Sequence, residues 1–180
     1  MSRIAIPATK DNAPTASQPL LDGVEKQLGS VPNVFRLLAN SPAVLQGFVG
    51  FSGALGRTLD ARTRERIALA VAAVDGCEYC LAAHTFIGAK LARLDADELA
   101  LNRGGTSRDP KAAAAVAFAK RVVETRGRVS DEDLAAVRTA GFGDAQIVEI
   151  VAVVAENFFT NIINNVAHTE VDFPAVETTA

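Results

Sequence analysis

The chain has 180 residues, 49% of them hydrophobic, which excludes a disordered protein and fits one domain with a continuous core. Aromatics are only 6% and Trp is absent, so that core is aliphatic, with abundant Ala favouring closely packed helices. A net charge of -3, with no Lys/Arg cluster long enough to track phosphates, argues against nucleic-acid binding.

Residues 1–18 are rich in Ser, Thr, Pro, Asn and Asp and read as an extended arm lying on the body or on a neighbour. Pro19 starts a short helix with Leu20, Leu21, Val24 and Leu28 on one face, stopped at Gly29-Ser30. Pro32 opens a second segment, which Asn40-Ser41-Pro42 ends. From Pro42 to Gly56, Val44, Leu45, Phe48, Val49 and Leu55 keep helical spacing. Gly47, Gly50 and Gly53 recur there at intervals of three and read as small residues for close helix contact.

Asp60 is a good cap for a helix from Ala61 to Val74. Its first half is charged and its second almost wholly apolar, so its far end is expected to be buried on all sides. Asp75-Gly76 breaks it, and Cys77 begins the next helix, to about Arg93. Asp95 caps a helix through Leu101, and Asp109-Pro110 starts another over 110–126. Ser130 and Asp133 form a capping box before 131–140, and Asp144 caps the longest helix, from Ala145 to about His168. No segment alternates with period two, so the expected fold is all-α, about eight helices joined by short loops. Residues 19–174 make the helical domain and 175–180 a polar tail.

The N-terminus lacks an apolar targeting core, and no apolar run reaches the roughly 18 residues a membrane span needs. Two cysteines in one CxxC pair, without others, do not make a secreted disulfide framework. A reducing cytoplasm is the expected compartment.

The chemistry-bearing residues concentrate in ERIALAVAAVDGCEYCLAAH, Glu65 to His84. On a helix, Cys77, Cys80 and His84 share a face. Two cysteines at this spacing in a first turn can close a disulfide, and the helix N-terminus favours thiolate. His84, one turn past Cys80, is placed to take its proton or to stabilise its thiolate. If the Asp75-Gly76 corner folds the two helices antiparallel, Glu65 comes back beside His84. The residues leave open which thiol attacks: Cys80 is nearer His84, and Cys77 nearer the helix N-terminus. Tyr79 is either packing or a hydrogen-bond donor beside the cysteines. A zinc site would need four ligands, with His168 or Glu65 added to Cys77, Cys80 and His84. His168 reads otherwise as surface or an oligomer contact.

Glu65, Cys77, Cys80 and His84 at this spacing resemble the Glu…Cys-x-x-Cys-x-x-x-His signature of the alkylhydroperoxidase D-like (AhpD-like) branch of the carboxymuconolactone decarboxylase family. The segments VPNVFRLLANSPAVL and NNVAHTEVDFP resemble its peroxidase-related subgroup, extending the likeness over residues 20–174. The resemblance implies an AhpD-like helical bundle, a homo-oligomer, and a peroxidase that reduces hydroperoxides with cysteine thiols. It implies Cys80 as the attacking cysteine, Cys77 as the resolving one, and Glu65 and His84 as a proton relay. It also implies a dithiol reductant, lipoyl or thioredoxin-like, and no metal or organic cofactor. Where the best-studied pattern has a second histidine between the cysteines, this chain has Tyr79. Two alternatives accompany this reading: a thiol–disulfide oxidoreductase with little peroxide activity, and a non-catalytic helical module that holds a metal or senses.

Overall fold

In the computed structural model, which describes residues 2–174, proline and glycine punctuate the N-terminal third into three separate helices. These are α1 (Gln18–Leu28), α2 (Asn33–Leu38) and α3 (Pro42–Leu55). Gly29, at φ 78°, ends α1 in the left-handed conformation that suits a residue without Cβ. Six more follow: α4 (Ala61–Val74), α5 (Glu78–Lys90), α6 (Ala96–Gly104), α7 (Pro110–Thr125), α8 (Asp131–Thr139) and α9 (Asp144–Ala167). The described residues thus form nine α-helices and no strand, an all-α fold. The count exceeds the expected eight because each proline-led segment before Gly56 closes as its own helix. The tail expected at 175–180 lies outside the described residues.

The caps explain the boundaries. Asp60 accepts from the Thr63 N–H at 3.0 Å, Asp95 from Glu98 at 3.0 Å, and Asp109 from Ala112 at 3.0 Å. Ser130 and Asp133 close the reciprocal box that opens α8. Two expectations shift. Asp144 is the first residue of α9 rather than its cap: Gly143 holds that position, and its N–H donates to the Gln146 side chain at 3.2 Å. Helix α5 begins at Glu78 and ends at Lys90, because Cys77 is its cap and Arg93 turns to φ 54°.

Helix α4 is the axis of the bundle and packs against α5, α6, α7 and α9. Ile67 through Ala72 are buried without interruption, as a helix enclosed on all sides requires. One core layer joins Ile67 and Val71 to Ala115, Phe118 and Ala119 of α7 and Ile150 and Val153 of α9. Alanine at these contacts lets the axes approach. A second layer joins Leu21, Leu38, Leu45 and Ala72 to Cys77, Tyr79, Cys80 and Ala83, so the CxxC pair sits inside the core.

The N-terminal segment lies on its own body. Two 3-10 turns, Lys10–Asn12 and Thr15–Ser17, shape it, so it is not simply extended. The Arg3 N–H donates to the Ala167 carbonyl at 2.6 Å, and the Ser17 hydroxyl to the Ala39 carbonyl at 2.8 Å.

Two further expectations are corrected. Gly47, Gly50 and Gly53 do not mediate helix contact within the chain: they are exposed, and a Cβ at each would meet no atom within 4 Å. Helix α9 also departs from the reading that no segment could span a membrane, since an 18-residue window in it has mean hydropathy 1.4. Its Asn157, Asn161 and Asn164 interrupt the apolar runs in sequence. All three are buried in the bundle.

Candidate active site

The corner between α4 and α5 builds the site. Gly76, at φ 60°, turns the chain, and α5 starts beside the end of α4. Cys77 caps α5 with its sulfur: Sγ accepts the Cys80 N–H at 3.2 Å. Cys77 is 0% exposed and Cys80 3%, and both are free thiols. A cavity of about 420 Å³ opens over Cys80, while Cys77 lies behind it and does not line the cavity. The walls are mostly apolar, with Phe35, Phe48, Phe86 and Phe173 among them, and the polar contributors include Arg64, Glu65, His84 and Glu156.

The antiparallel corner brings Glu65 to His84, with Oε2 of the carboxylate 2.9 Å from Nδ1 of the imidazole. Their side chains keep 17% and 20% exposure, within reach of the cavity. Burial works against a charged His84. The Glu65 carboxylate outweighs it, helped by Glu156 and the Cys77 sulfur, and holds His84 above the ordinary imidazole value. Burial pushes Glu156 up, against Ser52, His84 and Arg64, which favour its charge.

The thiols share a proton unevenly. The hydrogen bond from Cys80 holds Cys77 below the ordinary thiol value against burial, with the Cys80 N–H and His84 assisting. That same bond, and then burial, push Cys80 well up. When the pair is singly ionised, both shifts favour the charge on the enclosed sulfur and the proton on the sulfur that faces the cavity.

Tyr79 is committed elsewhere. Its hydroxyl donates to Asp172 Oδ1 at 2.8 Å and accepts the Val34 N–H at 3.2 Å. Asp172 Oδ2 accepts the Asn33 N–H at 2.7 Å, which ties the C-terminal segment across the start of α2. The Phe173 ring meets Tyr79 edge-on, with centroids 5.7 Å apart, and forms part of the cavity wall. Burial, with Asp172 nearby, pushes the Tyr79 phenol up and keeps it neutral.

Helix α9 supplies side chains that sequence reasoning missed. Asn161 Nδ2 donates to Asp75 Oδ2 at 2.8 Å, and Asn164 Nδ2 to Cys80 Sγ at 3.4 Å. Glu156, Asn157 and Thr160 complete this side of the cavity. The readable signal was the polar stripe Asn157, Asn161, Asn164 at helical spacing in an otherwise apolar helix. His168 is exposed at the end of α9 and lines a second, polar cavity of about 350 Å³ with Gly76, Glu78 and Thr169. Among the described residues no three His, Cys, Asp or Glu side chains are grouped to hold a metal ion.

The sequence model of the carboxymuconolactone decarboxylase family matches residues 42–121, which span α3 to α7 and include all four residues of the signature. An uncharacterized protein of Haemophilus influenzae is 51% identical over 45 residues, 24% of this chain; the match spans only 40% of that relative's length. The fold is similar to the alkylhydroperoxidase AhpD core of a peroxidase-related protein from Ralstonia eutropha JMP134, at 28% identity and TM-score 0.82, covering 95% of this chain and 92% of that one. It is also similar, in fold, to a cysteine-to-alanine variant of the debrominase Bmp8 in complex with 2,3,4-tribromopyrrole, at 20% identity and TM-score 0.80, covering 96% and 93%. The chain is thus similar in fold, nearly end to end, to an alkylhydroperoxidase AhpD core, and its central helices match the model of the carboxymuconolactone decarboxylase family.

Proposed function

We propose that the protein is a thiol peroxidase that reduces hydroperoxides through a Cys77–Cys80 dithiol/disulfide cycle. The observation that carries this reading is the ordering of the two sulfurs. One faces a substrate-sized cavity, the other lies behind it, and a Glu65–His84 pair opens on the same space.

The Cys80 proton passes to Cys77, and the Cys80 thiolate attacks the terminal peroxide oxygen. The O–O bond breaks, Cys80 becomes a sulfenic acid, and the alkoxide takes a proton from His84. Neutral His84 then removes the Cys77 proton. The Cys77 thiolate displaces hydroxide from the Cys80 sulfur, His84 protonates it to water, and a disulfide remains. Two thiols and one hydroperoxide thus give one disulfide, one alcohol and one water. A dithiol donor, lipoyl or thioredoxin-like, restores the pair. Glu65 holds the imidazole in orientation and supports its charge. The protein acts as a homo-oligomer in a reducing cytoplasm.

A second reading is favoured by the cavity itself, whose phenylalanines and volume suit a ligand larger than hydrogen peroxide. The same dithiol would reduce a halogenated ring: two electrons leave the thiols, a proton replaces bromine, and bromide departs. A thiol–disulfide oxidoreductase uses the same pair on a disulfide substrate. Turnover with dihydrolipoamide as reductant separates the three, with cumene hydroperoxide, 2,3,4-tribromopyrrole or oxidised glutathione as oxidant. Consumption of the hydroperoxide alone, lost in Cys80→Ser, is the expected result. Bromide release or glutathione reduction without peroxide loss would replace it.

A further inference from the structure

The sulfur that faces the cavity has a neutral amide donor aimed at it from another helix. Asn164 of α9 is 3% exposed, and its Nδ2 donates to Cys80 Sγ at 3.4 Å. Its Oδ1 is buried and has no hydrogen-bond partner among the described residues. Thr160, one turn earlier, also stands beside the sulfur and favours its charge, but its hydroxyl proton is shared with the Asn157 carbonyl at 2.9 Å. Asn164 lines both the cavity over Cys80 and the polar one behind it, so its amide stands where the two approach each other.

A buried amide with its acceptor unmet is destabilising by about 1–3 kcal/mol; Asn161 and Asn102 share that state, and Asn164 alone of the three also donates to the Cys80 sulfur. The carboxyl groups around the cysteines, Glu65 on α4, Asp75 at the corner, Glu156 on α9 and Asp172 on the C-terminal segment, all oppose a thiolate when ionised. Cys77 competes for the charge and Tyr79 is neutral, so the cationic side chains in favour are His84 and, on the cavity wall, Arg64. A neutral N–H donor touching the sulfur adds stabilisation without adding charge.

We propose that Asn164 is a catalytic residue: its Nδ2–H stabilises the Cys80 thiolate, and its Oδ1 accepts the O–H of the bound hydroperoxide, setting the terminal oxygen beside the sulfur. The second half rests on the peroxidase reading and the first does not. Oδ1 and Nδ2 belong to one amide, so the oxygen whose O–H is accepted lies next to the sulfur that attacks it. The hydroperoxide keeps that hydrogen through the attack, and it becomes the O–H of the sulfenic acid. A donor on the Cys80 sulfur works against the shifts that favour the charge on Cys77.

The test uses the full chain with Cys77→Ser, which leaves Cys80 as the only thiol, and follows iodoacetamide alkylation against pH. Asn164→Leu, close in shape, raises the midpoint by about one pH unit, about tenfold less thiolate at a given pH below it. Asn164→Asp, which places a carboxylate at the sulfur, raises it further. An unchanged midpoint in both variants overturns the proposal. So does an equal shift in Val137→Ala, a core change on α8 that loosens the fold without touching the corner. Hydroperoxide turnover, measured in parallel with both cysteines present, separates the two claims. A shifted midpoint with no turnover in the unmodified protein sinks the peroxidase reading and leaves the thiolate role standing. Turnover with no shift sinks the role of Asn164 alone.

Discussion

The imidazole of His84 on α5 meets the carboxylate of Glu65 on α4 at 2.9 Å, across a corner that the chain turns at Gly76. Burial alone would lower the His84 value, and the carboxylate reverses it. Glu65→Gln therefore lowers the His84 value, read by the NMR titration of its ring protons. Because the folded value is raised, stability from the pair is full below pH 6.5 and is lost as pH rises through the folded value. The stability gap between unmodified protein and Glu65→Gln is thus wider at pH 6 than at pH 9, measured by urea denaturation. Peroxide-driven thiol loss at neutral pH slows at least about tenfold in the variant. An unmoved histidine titration would contradict the coupling.

A second buried ion pair leaves the same turn of α4 toward α6. Arg66 of α4 donates to Glu98 of α6 at 2.8 Å, and Glu98 also accepts from Asn102 and the Arg108 N–H. Burial opposes the Glu98 charge, but these donors together with Ser107 depress it to about 2. With the folded value lowered, its contribution is present above pH 4.5 and is lost as pH falls toward 2, of order 3 kcal/mol over that window. Glu98→Gln leaves Arg66 buried without its counter-charge, and is expected to remove about 3–5 kcal/mol at pH 7. Its denaturation midpoint should be much less sensitive to acid than that of the unmodified protein. Equal acid sensitivity in the two would refute the assignment.

Tyr79 occupies the place where the family's best-studied pattern has a histidine, yet its hydroxyl is used to hold Asp172 and the Val34 N–H. Tyr79→Phe is therefore expected to destabilise by about 1–3 kcal/mol, since it strands both partners. Limited proteolysis should cut the C-terminal segment faster. Thiol oxidation by peroxide should keep its rate when measured well below the unfolding temperature. A large fall in that rate with unchanged stability would show Tyr79 acting in the proton relay instead.

What could be read from the sequence was what local chemistry decides. Asp60, Asp95, Asp109 and Ser130 are caps because a short polar side chain before an apolar run meets the free N–H groups there. The meeting of Glu65 with His84 followed from Asp75-Gly76 as a corner. Cys77 was placed inside α5 and proved to be its cap, a one-residue difference that puts its sulfur behind Cys80 rather than beside it. Asn164 and Asp172 were not identified because they reach Cys80 and Tyr79 across 84 and 93 residues of chain. Only tertiary packing decides such contacts. The Gly47, Gly50, Gly53 interval suggested close helix contact, but that face is open in the single chain.

That open face adjoins a testable surface. Val44 and Phe51 of α3 are exposed, as are Phe158, Ile162 and Val166 of α9. A homo-oligomer that covers this surface predicts a mass above 18.8 kDa by light scattering, and Ile162→Glu should lower it. A monomer over a wide concentration range would remove the oligomer from the account.

The central claim is that a hydroperoxide oxidises Cys80 and that Cys77 closes the disulfide. It is tested most directly by treating the prereduced protein with one equivalent of cumene hydroperoxide. Free thiols are then counted and the peptide linkage read by mass spectrometry, with Cys77→Ser alongside. The account predicts rapid loss of both thiols as a Cys77–Cys80 disulfide, and a sulfenic acid trapped on Cys80 in the variant. Thiols that survive the peroxide, or a sulfenic acid found on Cys77 in a Cys80→Ser protein that reacts as fast, would contradict it.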